Sequence, residues 1–363
     1  MRFFDAVLGL FVRILGENMS IDLYKRYQEW SAPILAEIAA AEEKDPKSEE
    51  VWHLKRKLGI GGSEVGSILG ANKYTSRHQL WEKKMGIAEP FSGNLATKIG
   101  HILEPTVADE YAFRTGNKVE VDETHYQSET DPWLVGNIDR KITFSDGSVG
   151  VLECKTASMP TEEWGEGNLY GVNHEVLSVN SQVPDSYYFQ CIHYMNLLNC
   201  KQVDLCVLFL LNKEVRIYTI FRNEAVLDLI RRKAAAFFWD NIVDGKEPEK
   251  SAAEVNKIPK SEIKLNNREA DEPLAEMVKT AKRLKDEIKE KEKALKICED
   301  TIKESIGYYE GLSFKGKTLC TYKAQEKTQF DSAKFAIEHP DQVQNYQKVS
   351  NFRVLRFSSS KEK

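Results

Sequence analysis

A run of apolar and β-branched residues, Val149 to Leu152, carries charge only where it ends, at Glu153 and Lys155. A buried strand seldom holds two charges without a use for them. Upstream, LVGNID closes on Asp139, and the intervening KITFSDGSVG sets the turn signal Ser-Asp-Gly-Ser between two strand-forming runs. The expected local structure is a β-hairpin. Alternation along a strand puts Glu153 and Lys155 on one face and Cys154 on the other. With Asp139 at the end of the partner strand, two carboxylates and one ammonium converge. Hard divalent ions such as Mg²⁺ take a few carboxylates and keep waters for a substrate phosphate and a nucleophile. The pattern suits hydrolysis of a phosphodiester. A solvated hairpin with a surface Glu–Lys pair is the alternative that the same residues allow.

At 363 residues the chain has room for one large domain with an appendage, or for two domains. A formal net charge of −5 argues against a protein that coats nucleic acid indiscriminately, but not against a nuclease, whose basic footprint is local. Basic residues do gather at Lys55, Arg56 and Lys57 and again from Lys73 to Lys84. The six cysteines show no CxxC pair and no zinc spacing, and Cys191, Cys200, Cys206 and Cys320 sit in apolar or strand-like settings. Free thiols in a reducing cytoplasm are expected. The apolar stretch at residues 1–15 is too short for a membrane span and lacks a signal-peptide cleavage site. Gly16-Glu17 just before Met19 is what a bacterial ribosome-binding site would encode if read as protein, so Met19 is a candidate natural start.

Helical pattern runs from Ile21 to about Lys57 with a polar break at DPKSEE. GIGGSEVGSILG follows, where Ser63 stands at the mouth of a short helix, either as a phosphate ligand or, with Glu64, as an ordinary cap. Helices are expected at HQLWEKKMG, from Leu95 to Thr115, at SYYFQCIHYMNLLN and at EAVLDLIRRKAAAFFWDNI, and strands at VDLCVLFLL and VRIYTIF. This order suits an α/β fold with a central mixed sheet flanked by helices. Composition shifts after Asp244. Residues 1–49 thus read as an N-terminal helical segment, 50–244 as the core, 245–272 as a charged linker, and 273–363 as a long helix, a small hairpin and a tail. In the long helix Leu274, Ala281, Ile288, Leu295 and Ile302 recur every seven residues, while Lys291 and Ser305 interrupt the companion positions.

With these residues in place, the chain resembles the lambda-type exonuclease family, including the YqaJ-like phage recombination nucleases of the PD-(D/E)XK superfamily. The resemblance lies in ordered blocks over roughly residues 50 to 240: WHLKRKLGIGGSEV, GHILEP, NID, ECK and SYYFQCIHYM. It implies a restriction-endonuclease-like fold. It further implies that Asp139, Glu153 and the main-chain carbonyl of Cys154 hold Mg²⁺, with Mn²⁺ as a substitute. Glu104 is implied as a further ligand or a second-site residue, with Gly100 letting its helix approach closely. Lys155 is implied to orient or deprotonate the attacking water, and Gln190 to hold the lysine or the scissile strand. Arg56 and Ser63 are implied to bind a DNA phosphate, although Lys55 or Lys57 would serve equally well on charge alone. His101 and His193 read as structural.

The implied activity is a 5′→3′ exonuclease on double-stranded DNA, preferring ends. It would leave 3′ single strands for a phage single-strand annealing protein, in the cytoplasm of a bacterial host and from a phage or prophage. A ring trimer is the implied assembly, although this chain runs over a hundred residues past the minimal enzyme. An end-independent or structure-specific endonuclease is the first alternative, and a non-catalytic DNA- or protein-binding relative is the second.

Overall fold

The structure, a computed structural model, describes residues 21–89, 93–258, 260–264, 267–342 and 353–357. The apolar stretch at 1–15, the candidate start Met19 and most of the tail past residue 342 lie outside the described residues. The chain divides into two units, Met1–Ser251 and Ala252–Lys363.

The first unit is organised by a five-stranded sheet: β1 (Lys118–Val121), β2 (Arg140–Thr143), β3 (Val149–Ala157), β4 (Gln202–Phe209) and β5 (Glu214–Phe221), which lie side by side in chain order. The β2–β3 turn forms as its composition requires. Asp146 Oδ1 accepts the Ser148 N–H at 2.8 Å, and Gly147 takes the left-handed φ of 81° that a side chain would resist. β3 and β4 pair in parallel, whereas the other neighbours are antiparallel. A parallel pair needs a crossover, and helix α6 (Asp185–Leu198) supplies it. Covered on both faces, β3 and β4 bury Val151, Leu152, Val203, Leu205, Cys206 and Val207 completely. Their sequences are therefore continuous apolar runs rather than alternating ones.

Helices α1 (Ile21–Glu42), α2 (Glu49–Lys57), α3 (Gly62–Ile68), α4 (Arg77–Lys84), α5 (Leu95–Thr115) and α7 (Glu224–Ala236) complete the layers around α6. On one face of the sheet Val151, Val203 and Leu205 share a core with Ile192 and Met195 of α6 and Ile230 of α7. On the other, Val107, Ala108 and Tyr111 of α5 pack against Ile142, Leu152 and Cys206. This is the mixed sheet between helices that the residue pattern led one to expect. α5 starts at Asn94, whose Oδ1 accepts the Thr97 N–H at 2.9 Å, and stops at Gly116, φ 69°. The segment after α7 departs from simple periodicity, because Phe237–Val243 winds as a π-helix. Phe237 and Phe238 are both fully buried there, and the wider i→i+5 turn brings neighbouring side chains toward one face.

The junction between α2 and α3 is tied to the strand that leads to Asp139. Ile60 N donates to Trp133 O at 2.7 Å, and Val135 N donates back to Ile60 O at 3.0 Å. All six cysteines are free; Cys154, Cys191, Cys200 and Cys206 are buried, Cys320 is half-buried and Cys298 is exposed. Residues past Asp244 still belong to the first unit. Asn241 Nδ2 donates to Lys246 O at 2.7 Å, and Glu247 lies 2.7 Å from His78 Nε2.

In the second unit α8 (Glu272–Ile306) is followed by a hairpin, Gly311–Phe314 with Lys317–Thr321, turning at Lys315 and Gly316, and by a short helix, Ser332–Glu338. Among the described residues no helix is long and apolar enough to cross a membrane.

A Cβ on Gly59 would stand 2.2 Å from the Trp133 carbonyl oxygen, a backbone atom that has no room to retreat. Gly59→Ala should therefore cost about 1–3 kcal/mol by overpacking, read as a lower urea midpoint at unchanged slope.

Candidate active site

β3 leaves its apolar run at Glu153, which is only 1% exposed. An ionised carboxylate at that depth needs partners on every lone pair that matters. Glu153 Oε1 has two: Gln190 Nε2 donates to it at 2.6 Å, and the Lys155 ammonium donates from two residues along the same strand. Oε2 is buried and has no hydrogen-bond partner among the described residues. Leaving such an atom unpaired costs roughly 1–3 kcal/mol, and a bound cation or water would remove that cost. Across the hairpin, Asp139 Oδ2 accepts the Cys154 N–H at 2.8 Å, which fixes that carboxylate beside the middle of β3.

The charges act on one another. Burial, with the Asp139 carboxylate nearby, pushes Glu153 up to about 7 although Lys155 pulls the other way. Burial also works against the Lys155 ammonium. The carboxylates of Glu153 and Asp139 outweigh it and hold the group well above its ordinary value. Lys155 thus carries positive charge into a cleft of about 210 Å³ lined by Thr97, Gly100, Glu104, Asp139, Cys154 and Thr156. Its Nζ lies 5.9 Å from the centre of the Tyr187 ring.

Glu104 reaches this cleft from α5, but it accepts Arg140 Nη1 at 2.6 Å, and the same nitrogen donates to Asp139 O at 2.6 Å. Glu104 therefore reaches a ligand's position only by sharing its charge with Arg140. A Cβ on Gly100 would meet Thr156 Oγ1 at 3.6 Å, an ordinary contact, so an alanine would fit where a close approach had been expected to require glycine. Among the described residues no group of three or more His, Cys, Asp or Glu side chains gathers as a metal site. A cation here would be held by Asp139 and Glu153, with main chain and water completing its shell. That donor set is all oxygen, and the orphaned Oε2 fits a hard divalent ion.

Gln190 bridges rather than touching Lys155. Its Nε2 donates to Tyr194 OH at 2.9 Å as well as to Glu153. No local motif marks Tyr194. The available signal was its spacing, four residues after Gln190 on α6 and hence on the same helix face. Its ring is clamped between two glycines: a Cβ on Gly62 would come within 2.8 Å of it, and one on Gly136 within 3.3 Å. Tyr194 thus joins the mouth of α3 to Glu153.

At that mouth Arg56 Nη2 lies 3.4 Å from Ser63 Oγ and 3.3 Å from Glu64 Oε1, and its guanidinium stacks 4.8 Å from the centre of the Trp52 ring. The cap belongs to Glu64, whose Oε2 accepts the Gly61 N–H at 2.8 Å, so Ser63 stays exposed. Lys84 pairs with Glu64 at 2.8 Å and donates to Gly59 O at 2.6 Å, bracing the α2–α3 junction. Lys55 and Lys57 are drawn toward α1 by Glu42 (2.7 Å) and Glu37 (3.9 Å), which leaves Arg56 as the basic residue beside Ser63. His193 is buried against Val135 O at 2.9 Å, and burial pushes it down to about 4, in keeping with a structural part. His101 is exposed at the cleft.

Residues 51–201 match the YqaJ-like viral recombinase domain, the span in which the ordered blocks lie. A Bacillus subtilis (strain 168) protein described as "Uncharacterized protein YqaJ" is 28% identical over 315 residues, covering 84% of this chain and 93% of that protein. Among solved structures, an alkaline exonuclease (LHK-Exo) from Laribacter hongkongensis has 15% identity and a TM-score of 0.40 over 54% of this chain and 94% of that chain. A phage-related exonuclease from Haemophilus somnus 129PT has 14% identity and a TM-score of 0.37 over 52% and 96%.

Because Glu153 must give up its proton before its free oxygen binds a cation, protons compete with metal below its pKa of about 7. Calorimetric Mg²⁺ or Mn²⁺ affinity should fall about tenfold per pH unit below that value and level off above it. A flat profile from pH 5.5 to 8 would count against Glu153 as a ligand.

Proposed function

Because residues 51–201 match the YqaJ-like viral recombinase domain, we propose that this chain is a Mg²⁺-dependent deoxyribonuclease, acting as a 5′→3′ exonuclease on double-stranded DNA. The observation that carries the reading is the unpartnered Oε2 of Glu153, buried in one site with Asp139 and the Lys155 ammonium. The family match supports the coarser statement, a nuclease. Direction, metal and end-dependence rest on the resemblance together with this site.

Asp139 and Glu153, with the main-chain carbonyl of Cys154, would hold Mg²⁺, which when bound supplies Lewis-acid polarisation of a phosphate oxygen and a cation-bound water. The chain's own residues do the rest. Gln190 and Lys155 occupy Oε1 of Glu153 and leave Oε2 free, so the carboxylate presents one oxygen in one direction. Tyr194 keeps Gln190 in that pose as a positioning residue. Lys155 brings the positive charge that offsets charge building on the phosphate and orients the attacking water. Arg56 and Ser63, adjacent at the mouth of α3, are suited to a terminal phosphate through a guanidinium and a hydroxyl. The 3′ strands so produced are the substrate that a single-strand annealing protein needs, which makes such a protein the expected partner.

Asp139→Ala and Lys155→Ala should retain DNA binding while losing about a hundred- to a thousandfold in cleavage, the scale for removing a group that stabilises transition-state charge. End-labelled linear duplex should be degraded from its 5′ ends with Mg²⁺, while covalently closed circles persist. Cleavage of closed circles would replace the exonuclease reading with an endonuclease. DNA left intact under Mg²⁺ and Mn²⁺ alike would point to a binding protein.

A further inference from the structure

α8 contains 35 residues, about 52 Å of helix at 1.5 Å per residue. Leu274, Met277, Leu284, Ile288, Leu295 and Ile302 form one seam along it, and each is between 42 and 66% exposed. Helices of this kind owe their stability in water to packing of the apolar face more than to propensity. Three ion pairs form within the helix: Lys279 with Glu276 (3.1 Å), Lys293 with Glu290 (2.7 Å), and Arg283 with Glu287 (3.7 Å), the last at the seam's border. Lys285 and Glu292 border the seam and have no ion-pair partner among the described residues. Lys285 lies instead with its ammonium 5.8 Å from the centre of the Phe357 ring, a contact that leaves the seam itself uncovered.

The heptad repeat decides what would fit. Two copies side by side in parallel would set Lys291 against Lys291 in the seam and Glu287 against Glu292 along its border, in both directions. Reversing one copy removes both conflicts. Leu284 then meets the partner's Leu295, Met277 meets the partner's Ile302, Ala281 meets the partner's Cys298, and Lys291 lies over the partner's Ile288. Lys285 faces the partner's Glu292 twice, once on each side of the two-fold axis. Border charges of this kind set partner and orientation in coiled coils. We propose that α8 is a self-association element that pairs with α8 of a second copy as an antiparallel two-stranded coiled coil. The inference rests on α8 alone and holds whether or not the chain is a nuclease.

Cross-linking of the full-length protein tests the orientation. In a Cys320→Ser background, Ala281→Cys should give a covalent dimer with the partner's Cys298 under mild oxidation, and Cys298→Ser should abolish it. Cys298 alone should not cross-link, because antiparallel pairing holds the two copies of that residue about 25 Å apart. A dimer linked through Cys298 alone would mean parallel pairing and overturn the proposal. Sedimentation equilibrium tests the contact. Leu284→Asp with Leu295→Asp should weaken association at least about a hundredfold. Lys285→Glu should weaken it about tenfold, with Glu292→Lys restoring it in the double variant. Phe357→Ala should leave association unchanged. A native chain that stays monomeric at tens of micromolar, or an assembly indifferent to the aspartate pair, would sink the idea.

Discussion

A carboxylate sits where an apolar strand should be dry, and the arrangement of the first unit follows from keeping it there. Glu153 lies in the central strand of a sheet that is covered on both faces. Held without partners, its charge would cost far more than a domain's net stability. α6 therefore crosses the sheet with Gln190 aimed at it, and Lys155 returns along β3 to neutralise it. Tyr194 fixes Gln190, and Tyr194 in turn fits only because Gly62 and Gly136 carry no side chain. One carboxylate thus constrains a helix, a tyrosine and two glycines distant in sequence.

A second buried carboxylate in the same sheet shows why Glu153 is singled out. Asp204, on β4, accepts Tyr111 OH at 2.7 Å on Oδ2, and Gln202 Nε2 at 2.8 Å and Thr219 Oγ1 at 2.9 Å on Oδ1. Both of its oxygens are satisfied, and its neighbours stitch α5, β4 and β5 together. It is a structural group, finished within the fold. Glu153 is unfinished by one oxygen, and its strand neighbours Cys154 and Lys155 line an open cleft together with Asp139. Burial alone does not mark a site, and an unmet valence alone does not either, since His193 Nδ1 is also buried without a partner; Glu153 adds a neighbouring carboxylate and an ammonium to its bare oxygen.

Much of this was legible in the chain. Val149 to Leu152 followed by Glu153 and Lys155 announces a buried strand that carries charge, although the strand runs on past both to Ala157, and Ser-Asp-Gly-Ser announces the turn that brings Asp139 opposite. Alternation placed Glu153 and Cys154 on opposite faces, and the two cores confirm it, with Val151 on one side and Cys154 on the other. What stayed hidden depends on contacts between residues far apart in sequence. Arg140 follows Asp139 directly, yet nothing local tells that it reaches back 36 residues to take Glu104. Gln190 could be placed on a helix, but its choice of Glu153 over Lys155 depends on how α6 lies across β3. The clamp on Tyr194 needs three segments at once. The π-helical turn at Phe237 answers to packing of neighbouring aromatics, which periodicity does not register.

The central claim is that Asp139 and the free oxygen of Glu153 share one hard cation. Crystals soaked in Mn²⁺ at pH 8 and measured at the manganese edge test it directly. One anomalous peak is expected about 2.0–2.3 Å from an oxygen of each carboxylate, at the ligand distances of small hard divalent ions. No peak between them, or a manganese ion bound elsewhere while Oε2 stays bare, would contradict it.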